Sequence, residues 1–222
     1  MTLEKTGGLA ALTCAATYLF GFALLVTLLA PQGFGSSEID VGAVVAFIEA
    51  RPGILITWNT VIYIVNALAL AVLVVALHAR LMGATPGWAA VARAFGLIWA
   101  TLVLGAGMLA NVTVERVGQL ATTDAAAAAD LWEVLHAVEL GLGGGNEIAG
   151  GAWILTVSLA GLLGRSLGRI PAWIGIVTGA SGLATILPPL GDTAGAVFGL
   201  GAIVWFIAMG VVLVLRGKAA RS

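Results

Sequence analysis

Charge is scarce in this chain: Asp, Glu, Lys and Arg together make up 9% of its 222 residues. Ten basic residues stand against eleven acids, which leaves no basic footprint for a nucleic acid. Cysteine is limited to Cys14, so an internal disulfide and any Cys-x-x-Cys metal or redox pair are excluded. Histidine is limited to His78 and His136, which the spans described below put at opposite ends. A bis-histidine haem or metal site within one chain is thereby excluded, and no cofactor or metal is expected.

What the chain has in abundance is apolar length. Hydrophobic residues reach 60% and the mean hydropathy is +1.08, far outside the range of soluble domains. Lipid offers no partner to a backbone N–H or C=O, so spanning segments must be helices, each of about 20 residues. The apolar runs predict an all-α polytopic membrane protein with six transmembrane helices, over 8–30, 54–77, 88–111, 145–163, 172–190 and 194–215. These account for the chain as a single membrane domain, 1–222, whose first partner is the lipid bilayer. Lys5 precedes the first run, but that run is too long for a cleaved leader and reads as an uncleaved span.

Short loops rich in Lys and Arg stay cytoplasmic. Lys5, Arg80, Arg93, Arg165, Arg169, Arg216, Lys218 and Arg221 fall on one side, where Glu4 is the only acid. The other side holds Glu38, Asp40, Glu49, Glu115, Asp124, Asp130, Glu133 and Asp192, with Arg51 and Arg116 as its only bases. The expectation is N-in and C-in.

Two longer outer connections carry helical patterns too short and too charged to span. In 37–50, Val41, Val44, Val45 and Ile48 recur at helical spacing behind Ser36 or Ser37 as the cap, and Pro52 ends the pattern. In 123–140, Thr123 is the expected cap, and Leu131, Leu135 and Val138 share one side. Both are expected as amphipathic helices on the outer face, either shielding loops or forming a lid over something below.

Polar side chains inside the spans are few, and turn counting brings them to one level. Asn59, Tyr63, Asn66, Asn111, Glu147 and Thr185 come out between about 18 and 28 Å from the cytoplasmic ends of their helices. Asn59, Tyr63 and Asn66 share one stripe. On the fourth span, Gly143, Gly150, Ile154 and Ser158 share the stripe of Glu147, with Gly144 and Gly151 beside it, which marks a face where another backbone packs closely. Asn146 and Glu147 are therefore expected at the floor of a polar pocket that opens outward. If the helix runs unbroken through the glycines, His136 lies on the Glu147 stripe as well. An acid at membrane depth points to function by default, although a plain hydrogen bond to an asparagine is the competing explanation. Asparagines are also common fasteners between helices.

Several motif-like matches fail. Gly-Ala-Ser-Gly at 179–182 has the form of the rhomboid protease serine motif, but no histidine follows on a later span. Pro-Pro-Leu-Gly-Asp at 188–192 has the form of an aspartyl intramembrane protease motif, but lacks a second intramembrane Asp. Asn111-Val-Thr fits a glycosylation sequon too close to the membrane to be used. His136 and Glu139, one turn apart, make at most a weak metal pair on a solvated face.

From residue 145 to 216 the chain resembles the bacterial membrane family filed as domain of unknown function 4386. The resemblance is carried by Glu147 ahead of Gly150, Gly151 and Trp153; by Pro171 opening a span in which Gly175 and Gly179 follow; and by Val204, Trp205 and Phe206 before Arg216. Ala172 departs from the basic residue expected after that proline. The resemblance implies a multi-pass protein of the bacterial inner (plasma) membrane, and it implies no reaction.

Three functions follow as expectations. The favoured one is binding or transport of a small or lipidic molecule, with Glu147 as the proton-sensitive group and Asn59, Tyr63, Asn66, Asn111, Asn146, Thr185 and His136 around it. A second is a structural or regulatory subunit, with Gly195 and Gly199 docking a partner helix or another copy of the chain. A membrane-embedded enzyme ranks third, because no nucleophile and base occur together.

Overall fold

The computed structural model describes residues 2–34, 39–144 and 147–219, which are helical almost throughout and contain no strand. Nine α-helices occur among them: α1 Leu3–Leu24, α2 Val41–Ala50, α3 Pro52–Asn59, α4 Asn66–Leu81, α5 Pro86–Ala121, α6 Ala125–Glu139, α7 Ile148–Leu163, α8 Arg169–Ala184 and α9 Gly191–Ala219. Two π-helical stretches, Leu25–Leu29 and Thr60–Val65, extend or join them, and a kinked segment, Leu140–Gly144, follows α6.

Five helical stretches are long and apolar enough to cross a membrane by length and composition: Leu3–Gln32, Pro52–Leu81, Pro86–Ala121, Ala125–Leu163, which is kinked at Gly143, and Pro188–Leu215. The expected span at 172–190 corresponds to α8, which has 16 residues and ends at Ala184. Pro188 and Pro189 follow in a short 3-10 turn, and neither can donate the backbone bond that would continue the helix. The expected span at 88–111 is exceeded instead: α5 runs 36 residues, roughly 54 Å. It continues because Val114 and Val117 keep an apolar face buried beyond Asn111.

Both short helices expected outside the spans form, but with different caps. The side chain of Asp40 accepts from the amide of Ala43 at 2.9 Å to start α2, and that of Asp124 accepts from Ala127 at 3.0 Å to start α6. A carboxylate at this position satisfies a free amide and also meets the positive end of the helix dipole. Thr123 does not cap α6; its hydroxyl donates back to the carbonyl of Leu120 at 3.2 Å. Ser36 and Ser37 lie outside the described residues. Pro52 opens α3 as its first residue. On α6 the inward stripe is Ala128, Trp132, His136 and Glu139, whereas Val138 is exposed.

Glycine sets the closest helix contacts. A Cβ on Gly151 would stand 2.8 Å from the carbonyl oxygen of Gly179, and one on Gly179 would stand 2.5 Å from the amide nitrogen of Leu155, so α7 and α8 touch backbone to backbone. Helix α9 runs antiparallel to α1: Gly8 lies against Gly210 and Val214, and Phe22 against Gly199. At the end where α1 begins, Arg80 reaches Glu4 at 2.7 Å and the carbonyl oxygen of Ser166 at 3.0 Å. The start of α1, the end of α4 and the α7–α8 connection therefore share one end of the bundle.

Two apolar clusters fill the molecule. The larger holds Trp99, Trp153, Phe198, Trp205 and Phe206, with the rings of Trp153 and Trp205 meeting edge to face at 5.3 Å. The smaller lies toward the opposite end from Arg80 and joins α2, α6, α3 and the far end of α5 through Val44, Ile48, Leu55, Val117, Ala128 and Trp132. These two clusters leave a gap between them.

Candidate functional site: a cavity beside helix α6

The gap is a cavity of about 530 Å³, within the range that holds small-molecule ligands. Its lining draws on both clusters. Trp99, Val103, Tyr18 and Tyr63 belong to or pack on the larger one; Leu55, Trp58, Phe34 and Trp132 belong to or pack on the smaller. Helix α6 covers one side of the cavity through Trp132, His136 and Glu139, while α2 packs in the smaller cluster beside it and contributes no lining residue.

Both π-helical stretches border it, contributing Leu25, Ile62 and Tyr63 to the lining, and the kinked segment after α6 adds Leu140 and Gly143. A π turn spends an extra residue per turn and loosens side-chain register, which leaves space beside the helix axis and recurs at functional sites. Tyr63 sits in such a turn against Gly107 of α5. Its hydroxyl donates to Oε1 of Glu139 at 2.8 Å. The other oxygen of Glu139 meets Nδ1 of His136 at 3.1 Å, and the His136 ring stacks on Trp132 with centroids 4.4 Å apart. A polar chain thereby crosses from the π turn to the lid.

Glu147 reaches the cavity by a different route from the one expected. The helix does not run unbroken through the glycines. Gly143 has φ of 122°, a left-handed conformation that only glycine adopts cheaply, and Glu147 is the cap residue from which α7 starts afresh. His136 and Glu147 still meet around the same space, but through a break and not through a shared stripe. The Glu147 amide donates to the Thr185 hydroxyl at 3.3 Å, and that hydroxyl donates to Gly182 at 2.6 Å. The backbone is pinned while the carboxyl faces the cavity with no hydrogen bond or ion pair to any described residue.

The remaining polar residues divide. Asn59 lines the cavity, is 5% exposed, and has no side-chain partner among the described residues. Asn66 also borders it, but its amide donates to Thr17 at 2.6 Å and so fastens α4 to α1. Asn111 does not line the cavity; its amide donates to Thr60 at 3.0 Å and ties α5 to the π turn. Thr185 stands behind the Glu147 backbone, outside the lining. Asn146 lies outside the described residues. His78 sits near the Arg80 end against the carbonyl of Ala89 at 3.0 Å.

Glu139, Trp58, Trp132, Tyr18, Phe34 and Asp192 are among the lining residues that the sequence did not single out as a site. Glu139 had a signal: it follows His136 by one turn on a lid helix. The aromatics had none, because a ring in an apolar run reads as core. Among the described residues no group of three His, Cys, Asp or Glu side chains gathers to hold a metal ion.

No family model matches this chain, and neither the curated proteins nor the solved structures offer a match.

Proposed function

We propose that this chain is a six-span protein of a bacterial plasma membrane, both termini cytoplasmic, which binds or transports a small or lipidic molecule entering from the outer leaflet side. The carrying observation is the cavity of about 530 Å³ in which the half-buried Glu147 carboxyl and the buried Asn59 amide have no hydrogen-bond partner among the described residues. Polar side chains inside a protein are nearly always paired, so two left open into one cavity are suited to a ligand.

The topology has its own support. Glu4, Arg80 and Ser166 share one end, and α9 is antiparallel to α1, so Asp192 at the start of α9 belongs to the other end, beside the cavity. This arrangement supports a sixth crossing between Ser166 and Asp192, made by α8 with the turn after it. Basic residues at the Arg80 end make it the cytoplasmic side. The resemblance to the family of domain of unknown function 4386 belongs to the same proposal.

Glu147→Gln keeps shape and removes the titrating group. Native mass spectrometry in a mild non-ionic detergent, at acid and at neutral pH, is expected to find a retained small molecule whose occupancy changes with pH in the native chain and not in Glu147→Gln. The other titratable groups of the lining, His136, Glu139 and Asp192, remain in both. Equal pH dependence in the two proteins removes Glu147 from the site. The subunit reading, with a partner helix or a second copy on Gly195 and Gly199, has less support: Gly199 is occupied by Phe22 within the chain, and only Gly195 faces open space.

A further inference from the structure

Resting on that reading of the cavity, the chemistry of its lining narrows the ligand class. Among the described residues the lining holds three acids, Glu139, Glu147 and Asp192, and neither Lys nor Arg. His136 is the one group able to carry positive charge, and Glu139 already holds it at 3.1 Å. Among the described residues Glu147 has no hydrogen-bond or ion-pair partner, and Asn59, nine-tenths buried, brings an unpaired carboxamide to the same space. An uncompensated, half-buried carboxyl is a cost that an incoming cation relieves and an incoming anion increases.

The walls agree in sign with the acids. Phe34 meets Trp58 and Trp132 edge to face at 5.9 and 6.3 Å, building an aromatic cluster under the lid, and Trp99 stands on the opposite wall. Ring faces carry negative quadrupole density and attract ammonium groups, quaternary ones above all because they are weakly hydrated. Most of the remaining lining is apolar, including Leu25, Ile62, Trp99, Val103 and Val114, and suits a tail. We infer that the cavity takes an amphiphilic cation, its alkylammonium head between Glu147 and the Trp58–Phe34–Trp132 cluster and its apolar tail toward Trp99 and Val103. The head chemistry is shared by free organic cations and by choline-type lipid headgroups.

Four probes of one chain length separate the outcomes: decyltrimethylammonium, decyl sulfate, decanol and decylphosphocholine, titrated into the purified full chain in maltoside micelles and read by tryptophan emission. Decyltrimethylammonium is expected to bind at least about tenfold more tightly than decyl sulfate and decanol. Glu147→Gln is expected to cost it about tenfold and to leave decanol unchanged. Decylphosphocholine binding as well as the simple cation assigns the site to lipid headgroups, and binding about tenfold weaker assigns it to free cations, since its phosphate must face the same acids. Decanol or decyl sulfate binding as tightly as the cation overturns the cation preference and leaves the binding cavity standing. Failure of all four overturns the binding cavity itself. The comparison on the native chain does not depend on any variant folding.

Discussion

The hydroxyl of Tyr63 donates to Oε1 of Glu139 at 2.8 Å, joining a π turn in one membrane-spanning stretch to a lid helix 76 residues later. It is a polar tie between the body of the bundle and the roof of its cavity. Because Glu139 also holds His136, loss of Tyr63 disturbs the whole chain from the π turn to Trp132.

Tyr63→Phe is expected to cost about 1–3 kcal/mol, since it leaves a part-buried carboxyl oxygen without its donor. Thermal unfolding in detergent measures the loss. In a double-mutant cycle with Glu139→Gln the two changes are expected to be non-additive by about 0.5–3 kcal/mol. Simple additivity would show that the bond does not couple lid to body.

Trp132 is 6% exposed in the lid cluster. Trp132→Ala is expected to cost about 3–5 kcal/mol and to loosen α2 and α6 before the rest of the bundle. Limited proteolysis should then cut faster at residues 122–124 while the other helices stay protected. An unchanged rate of cutting would argue that the roof is held by something other than this ring.

Gly151→Val and Gly179→Val insert side chains where a Cβ alone would come within 2.8 and 2.5 Å of the opposing backbone. Neither variant is expected to yield folded protein by size-exclusion chromatography. Gly105→Ala is the control, because nothing lies within 4 Å of the added carbon; it is expected to be neutral or to stabilise by up to about 1 kcal/mol. Folded Gly151→Val would show that α7 and α8 separate without consequence.

Topology is checked by single cysteines introduced in a Cys14→Ala background, Cys14 itself being fully buried. A membrane-impermeant maleimide on intact cells should label Thr123→Cys and Pro189→Cys, and should label Gly83→Cys and Gly168→Cys only after permeabilisation. Labelling of Pro189→Cys and Gly168→Cys from the same side would mean that α8 does not cross.

How much of this was legible in the sequence depended on whether periodicity alone decided the matter. Asn59, Tyr63 and Asn66 were assigned to one stripe by helical spacing, and all three border the cavity. The two short helices were legible for the same reason, each being an apolar stripe between polar signals. Their caps were misjudged because Asp, Ser and Thr are near-equal cap residues, and the choice falls to whichever amide the chain presents.

Other features have no sequence signature. The break at Gly143 is hidden in the sequence because the Leu and Gly run of residues 140–145 reads equally well as a continuing helix, and only the observed φ distinguishes the two. The π turns leave no compositional trace, yet they open the space beside Tyr63. Asn111 was put at the right level and the wrong face: a π turn next to it brings Thr60 within reach, and the amide is used there. Helix α5 outran its expected end because Val114 and Val117 pack on the lid, a partner that hydropathy cannot foresee.

The most direct test of the cavity beneath the lid is an experimental density map of the full chain purified in mild detergent without delipidation. Non-protein density is expected between Glu147, Asn59 and the ring of Trp132, with α6 packed against it. Glu147 and Asn59 turned toward the surrounding detergent, or the space between them filled by protein side chains, would contradict it.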